Sequence, residues 1–322
     1  MSTLTIDAHL HADDLARSLR DDVVRGLSSH PKELPPKWFY DGRGSDLFDQ
    51  ITRLPEYYPT RREREILERQ ASAIAQRTRA DTLIELGSGT SEKTRILLHA
   101  LAAAGTLRRF VPFDVSEPPL REASAAIAAE HPYIDVHAVV GDFDRHLHVL
   151  PTNGRRLVAF LGGTIGNMTP AKRAAFLRTL RATMQPGDSL LLGTDLVKSP
   201  RRLVPAYDDA AGVTAEFNRN VLHVINRELG ATFVPEQFAH VAVWDADHEW
   251  IEMRLRSRRR HTVDVPGLGL TLRFEAGEDL RTEISSKFRI ERIGCELAAA
   301  GLRVVDMWTD PAGDFALTMA VW

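Results

Sequence analysis

A single cysteine, Cys295, stands in a chain of 322 residues. Within one molecule no disulfide and no multi-cysteine metal site can form, and such a composition suits a reducing compartment. Long apolar runs are missing too: no stretch reaches the ~20 residues of a membrane span. The N-terminal MSTLTIDAHLHADD lacks a basic segment followed by an apolar core, so it does not read as a secretory signal. Neither sign of charge is in surplus. Lys and Arg total 41 against 44 Asp and Glu, and a formal net charge of -3 offers no basic field to nucleic acid or to a membrane surface. What remains is a cytoplasmic globular protein whose 43% apolar residues can fill the core of two domains or of one elaborated domain.

One further absence concerns a glycine. The stretch Thr82 to Thr94, TLIELGSGTSEKT, nearly satisfies two nucleotide motifs. A phosphate loop starting at Gly87 finds Lys93-Thr94 at the right distance, and a dinucleotide fingerprint finds Gly87 and Gly89. Both motifs then require a glycine where Glu92 stands. A carboxylate in the first turn of a helix suits the helix dipole but occupies the place of a phosphate and repels it. The expected ligand of this loop carries no polyphosphate.

Along the chain, helical spacing runs from Asp13 to Leu27 and over Ser45 to Ile51, and a long helix opens at Thr60. Thr60 and Glu63 stand at capping-box spacing. Strands and helices then alternate: TLIEL, EKTRILLHALAAAG, FVPFDV, PLREASAAIAAE, DVHAVV, LVAFLG, TPAKRAAFLRTLRATM and DSLLLGTD. Nearly continuous apolar strands in β-α-β order predict a parallel sheet covered on both faces. After Asp195 a helix over 207–230 is followed by strand-like alternation in HVAVW, EWIEMRLR, HTVDV, LTLRF and TEISSKF, then by a helix and two closing strands. The expected architecture is a doubly wound α/β domain, residues 62–197 with 288–322, and an inserted α+β domain, residues 9–61 with 198–287. The N-terminal 61 residues are assigned to the insertion because they have no other sheet to pack on.

In such a sheet, ligands bind beyond the carboxyl ends of the strands. The first of these strands ends at Glu85 and the Gly87-Ser88-Gly89 turn, the second at Asp114, and a third at Gly141-Asp142-Phe143. Asp114 can accept from ribose hydroxyls, Asp142 from an adenine amine, and Phe143 offers a ring beside the base. Singly these residues read as turn, cap and core; together they describe a negative pocket for a nucleoside that carries a cation. S-adenosylmethionine is such a ligand. His9-Leu10-His11 and His146-Leu147-His148 have no third ligand at metal spacing, so no metal is expected. Arg258-Arg259-Arg260 reads as a solvated turn between strands. The fourth strand ends in LGGTIGN rather than the Asn/Asp-Pro-Pro-aromatic run of nucleobase amine methylators, which points to another acceptor.

The stretch PKWFYDGRGSDLFDQITRLPEYYPTRREREIL, together with LIELGSGTSEKT, RFVPFDV, GDFDRHL, TIGN, DSLLLGTDLVKSPRRLVPAYDDAAGVTAEFNRNVL, TEISSKF and WTDPAGDF, resembles the histidine Nα-methyltransferases of ergothioneine biosynthesis. The likeness covers nearly the whole chain. It implies a seven-stranded methyltransferase sheet with an inserted substrate-binding domain. It also implies transfer of three methyl groups from S-adenosylmethionine to the α-amine of free L-histidine, giving hercynine. Carried over by position, Tyr57, Glu283 and Ser285 would hold the imidazole, with Met253 lining its pocket, and Asn167 and Tyr207 would hold the amino-acid head group. Tyr40 would lie near the amine and is the candidate catalytic residue. Gly87, Lys93, Asp114, Asp142 and Phe143 would bind the cofactor, Lys93 at its methionine carboxylate. The family has a serine where Gly163 stands and a cysteine where Ser286 stands.

Free histidine presents a carboxylate, an amine and an imidazole, so a selective site needs polar groups at three corners. Glu283 and Ser285, two apart on a predicted strand, face the same side. The base that takes the amine proton is Tyr40 or water. The expected partners are histidine and its mono- and dimethyl forms, with no nucleic acid and no membrane, and a monomer is the open default. A methyltransferase for another small amine or amino acid is the nearest alternative; a nicotinamide oxidoreductase and a non-catalytic cofactor sensor are the readings from other classes.

Overall fold

The strands between Thr82 and Asp195 are almost wholly buried along their length, the condition of a sheet covered on both faces. The structure is a computed structural model that describes residues 3–322. In chain order its strands are β1 Leu4–Ala8, β2 Lys32–Glu33, β3 Thr82–Leu86, β4 Arg109–Asp114, β5 Asp135–Val140, β6 Arg156–Phe160, β7 Ser189–Asp195, β8 Phe238–Asp245, β9 Trp250–Ser257, β10 His261–Val265, β11 Leu270–Phe274, β12 Asp279–Ser286, β13 Arg303–Thr309 and β14 Phe315–Val321. They fall into two compact units. The first holds residues 3–10, Pro59–Val197 and Lys287–Trp322; the second holds His11–Tyr58 and Lys198–Ser286.

In the first unit the sheet order is β1-β5-β4-β3-β6-β7-β14-β13, with β14 antiparallel to both neighbours. Seven of these strands are the expected ones, and β1 is an addition. It pairs in parallel with β5 from Leu4↔Val136 to Ala8↔Val140, so the N-terminus does have a sheet to join, contrary to the sequence expectation. Alternate residues feed two cores. Ile84, Val111, Phe113, Val158 and Leu190 pack with the helices Pro170–Thr183 and Ile290–Ala299. Leu83, Phe110, Leu157 and Leu191 pack with the helices Pro59–Thr78 and Thr94–Ala103. Each face is thus closed by helices, the doubly wound α/β arrangement. Thr169 caps the helix Pro170–Thr183, its side chain accepting from the Lys172 N–H ahead of a proline in the first turn.

The second unit is α+β. Its four-stranded sheet runs β2-β12-β9-β8, and β10 and β11 form a separate hairpin. Three helices, Ala12–Leu27, Gly42–Arg53 and Val213–Leu229, bury Leu19, Val23, Ile51, Phe217, Val221 and Ile225 with the sheet. The helix expected from residue 207 starts only at Val213. Asp209 accepts from the backbone N–H groups of Val213 and Thr214 at 3.0 and 2.7 Å, and that cap holds the preceding residues in a turn.

Candidate active site

β3 lies where the strand order reverses between β4 and β6, which opens the crevice at its carboxyl end. Gly87 and Gly89 turn the chain there with φ of 70° and 49°, a region that glycine enters without steric cost. Asp114, at the end of β4, accepts from Gly89 N–H at 3.0 Å and from Ser116 N–H at 2.9 Å. Burial pushes its carboxyl up, and these backbone donors pull the other way. A carboxylate has about four acceptor positions, so room for hydroxyls remains. Asp142 follows β5 and caps the short helix Phe143–His146 by accepting from Asp144 N–H at 2.9 Å. The Phe143 ring stacks on Phe113 at 5.7 Å and meets Phe160 edge-on at 5.5 Å. A Cβ on Gly87 would come 3.4 Å from its Cζ, so the ring borders the glycine turn.

Glu92 does not sit in the first turn of a helix, contrary to the sequence expectation. The helix begins at Thr94, and Glu92 stands ahead of it, exposed and facing Arg64 at 3.3 Å. It does not occupy a phosphate position. The amide that a pyrophosphate would use, that of Gly89, is instead taken by Asp114. Glu85 is no ligand of the loop either. It is buried and accepts from Ser91 Oγ at 2.7 Å and from Thr94 Oγ1, fixing both ends of the SEKT turn.

Glu63 is the group that the sequence reading placed wrongly. Expected to close a capping box with Thr60, it is fully buried, both carboxylate oxygens lie 2.9 Å from Gly162 N–H, and it pairs with Lys93 Nζ. It thereby joins Lys93, the lysine expected at the cofactor, to the turn Thr164–Asn167 that Gly162 and Gly163 introduce. Gly163 has φ 70°, so a serine there would be strained where glycine is not. Asn167, partly buried, ends this turn in the first unit.

The remaining expected substrate residues belong to the second unit. Tyr40 follows the turn Pro36–Phe39, and its ring meets Phe48 and Phe217 edge-on at 5.5 and 5.4 Å. Phe48 also meets Tyr57 at 6.2 Å, and Tyr57 meets Tyr207 at 6.3 Å. Tyr207 Oη hydrogen-bonds Ser285 Oγ at 2.8 Å. Glu283 pairs in register with Met253, and both are buried. Ser286, also buried, pairs with Trp250. Phe48 and Phe217 escaped the sequence reading because aromatics at helical spacing look like core.

A β-bulge decides which way Glu283 faces. Arg281 pairs with Arg254, but Glu283 pairs with Met253, so Thr282 is an extra residue on β12. Before the bulge, Asp279 and Arg281 lie with Arg254, Arg256 and Glu252 in a ladder of ion pairs. Regular pairing would put Glu283 opposite Glu252 in that ladder. The bulge turns Glu283 and Ser285 to the face of Ile251 and Met253.

A family model described as histidine-specific, S-adenosylmethionine-dependent methyltransferase matches residues 19–322. The chain is 62% identical to the histidine N-alpha-methyltransferase of Mycolicibacterium smegmatis, covering 99% of both chains. It is 58% identical to that of Mycobacterium tuberculosis, covering 98% of this chain and 99% of the relative. It is 30% identical to ergothioneine biosynthesis protein 1 of Neurospora crassa over 87% of this chain and 32% of that longer protein. With its glycine turn, its strand-end carboxylates and this match over nearly its whole length, the chain belongs to the histidine-specific, S-adenosylmethionine-dependent methyltransferase family.

Proposed function

We propose that the protein transfers three methyl groups in succession from S-adenosylmethionine to the α-amine of free L-histidine, giving hercynine in ergothioneine biosynthesis. The mono- and dimethyl forms are then its second and third substrates, and the cytoplasm is its place of work. The observation that carries the substrate assignment is a polar wall in an apolar core: Glu283 and Ser285, assigned to the imidazole, are buried beside Met253, and Ser285 is hydrogen-bonded to buried Tyr207, assigned to the amino-acid head group. A carboxylate and hydroxyls in that setting suit a ligand that is itself polar and aromatic, as an imidazole is.

The cofactor residues fit S-adenosylmethionine without a metal. Asp114 has acceptor capacity for the ribose, Asp142 and Phe143 for the adenine, and Lys93 carries three donors, enough to pair with Glu63 and still meet a carboxylate. When bound, the cofactor supplies an electrophilic methyl on a sulfonium. The chain's part is to hold the amine in line while it loses a proton before each transfer. In this reading the Tyr40 oxygen accepts a hydrogen bond from the amine and the proton leaves to water, and neighbouring aromatic faces tolerate the growing ammonium. Orientation of this kind can supply several kcal/mol.

The test is to incubate the purified protein with histidine and S-adenosylmethionine and follow the mass of the amino acid. Gains of one, two and three methyl groups, ending at three, are expected. Methylation of a ring nitrogen, or of other amino acids with equal efficiency, would overturn the assignment.

A further inference from the structure

The bulge that aims Glu283 is tied to the Tyr207 turn by a buried relay of side chains. The Thr282 hydroxyl lies 2.6 Å from Asn218 Oδ1 and 3.0 Å from the Met253 carbonyl. The Asn218 amide donates to the Arg254 carbonyl at 3.2 Å and to His240 Nδ1 at 2.8 Å. His240 Nε2 lies 2.7 Å from the carbonyl oxygen of Tyr207. These bonds fix the ring and amide protons. A carbonyl only accepts, so Nε2 carries the imidazole hydrogen, Nδ1 is the acceptor, the Asn218 amide must point to it, and Asn218 Oδ1 is left for the Thr282 hydroxyl. Burial holds the His240 imidazole below its ordinary range, which keeps Nδ1 free to accept. Asn218 and Thr282 are 0% and 1% exposed, so water does not compete for these bonds.

The relay crosses four elements and ends at both sides of the polar wall. Thr282 is the inserted residue of β12, Asn218 lies on the helix Val213–Leu229, and His240 is on β8. We infer that Thr282, Asn218 and His240 are positioning residues that set the spacing between Glu283 with Ser285 on the bulged strand and Tyr207 on its turn, and so set selectivity for the imidazole. The inference rests on the reading that Glu283, Ser285 and Tyr207 hold histidine. None of the three relay residues touches the substrate in it. A bulge is the least regular part of a strand, and a hydroxyl whose one hydrogen lies between two acceptors is a direct way to stop it sliding by one residue.

Thr282→Val removes the hydroxyl while keeping the branched shape, and Thr282→Ser keeps the hydroxyl. The valine variant should raise KM for histidine about tenfold or more. Its KM for S-adenosylmethionine and its affinity for S-adenosylhomocysteine should stay unchanged. The serine variant should remain within about twofold of the parent KM. A valine variant with lowered melting temperature but parental KM for histidine overturns the inference, since that is the behaviour of a purely structural threonine. Should the valine variant not fold, Asn218→Asp carries the same expectation, because it keeps an acceptor for Thr282 and loses the amide toward His240; a parental KM there overturns the inference as well. Glu283→Ala separates the two layers. If it retains full histidine activity, the pocket reading fails; if it is impaired while the relay variants are not, only the relay fails.

Discussion

Burial pushes the Glu85 carboxyl up to about 7, against the hydroxyls of Thr94 and Ser91 and the charge of Lys93, with Asp114 adding to the rise. The folded chain therefore holds a proton there that the unfolded chain releases near 4.5. For a raised acid the sign is fixed: the contribution to stability is full below the unfolded value and is lost as pH rises through about 7. A shift of this size is worth roughly 3 kcal/mol. Glu85→Gln, which cannot ionise, should gain about that much on the parent between pH 4.5 and 8 in urea unfolding. Parallel pH curves for the two proteins would show that Glu85 titrates as an ordinary carboxyl. Because Glu85 fixes Ser91 and Thr94, its protonation state also bears on the loop that ends in Lys93.

The helix Pro59–Thr78 brings Glu63 under the Gly162 turn, and β7 leaves room for it. A Cβ on Gly193 would stand 2.1 Å from Glu63 Oε1, although the backbone of Gly193 itself is of a kind any residue adopts. Gly193→Ala should therefore act chiefly through Glu63, with a lesser crowding of Phe315 Cε1 at 3.2 Å. Overpacking of this kind costs about 1 to 3 kcal/mol, and displacing the carboxylate leaves Gly162 N–H and Lys93 without their partner. Weaker S-adenosylhomocysteine binding should accompany the lost stability. Adding Glu63→Asp, a shorter carboxylate, should return part of both, giving a non-additive pair in unfolding and calorimetry. Additive effects would mean that the helix and strand do not communicate through this carboxylate.

Across the whole molecule, the residues proposed for the cofactor, from Gly87 to Phe143, belong to one unit and the polar wall to the other, so variants should sort by ligand. Asp114→Ala should weaken S-adenosylhomocysteine by roughly 1.5 to 3 kcal/mol in calorimetry. Glu283→Ala should leave that binding intact and lower kcat/KM for histidine by about 10- to 150-fold, with a loss of preference over amino acids that carry apolar rings. Histamine, which lacks the carboxylate of histidine, should be a very poor acceptor. Equal use of histamine and histidine would mean that the head group is not read.

The sequence by itself determined the α/β class, the doubly wound order and the family, because each rests on information local to a segment. Apolar runs such as RLVAF and SLLLGTD declare buried parallel strands, and a loop such as LGSGTSEKT keeps its identity wherever the chain takes it. Tertiary structure alone decided what depends on distant partners. LTIDA is as long as TLIEL but lacks its apolar run and stays mostly exposed, and it becomes β1 only because β5 offers an edge. Glu63 has the spacing of a helix cap, yet Gly162 and Lys93, remote in sequence, draw it inward. Glu92 lies in no helix, because the hydroxyls held by Glu85 delay the helix start to Thr94. The facing of Glu283 was hidden for the same reason: a period-two pattern gives the face only while pairing is regular, and one inserted residue, Thr282, reverses it.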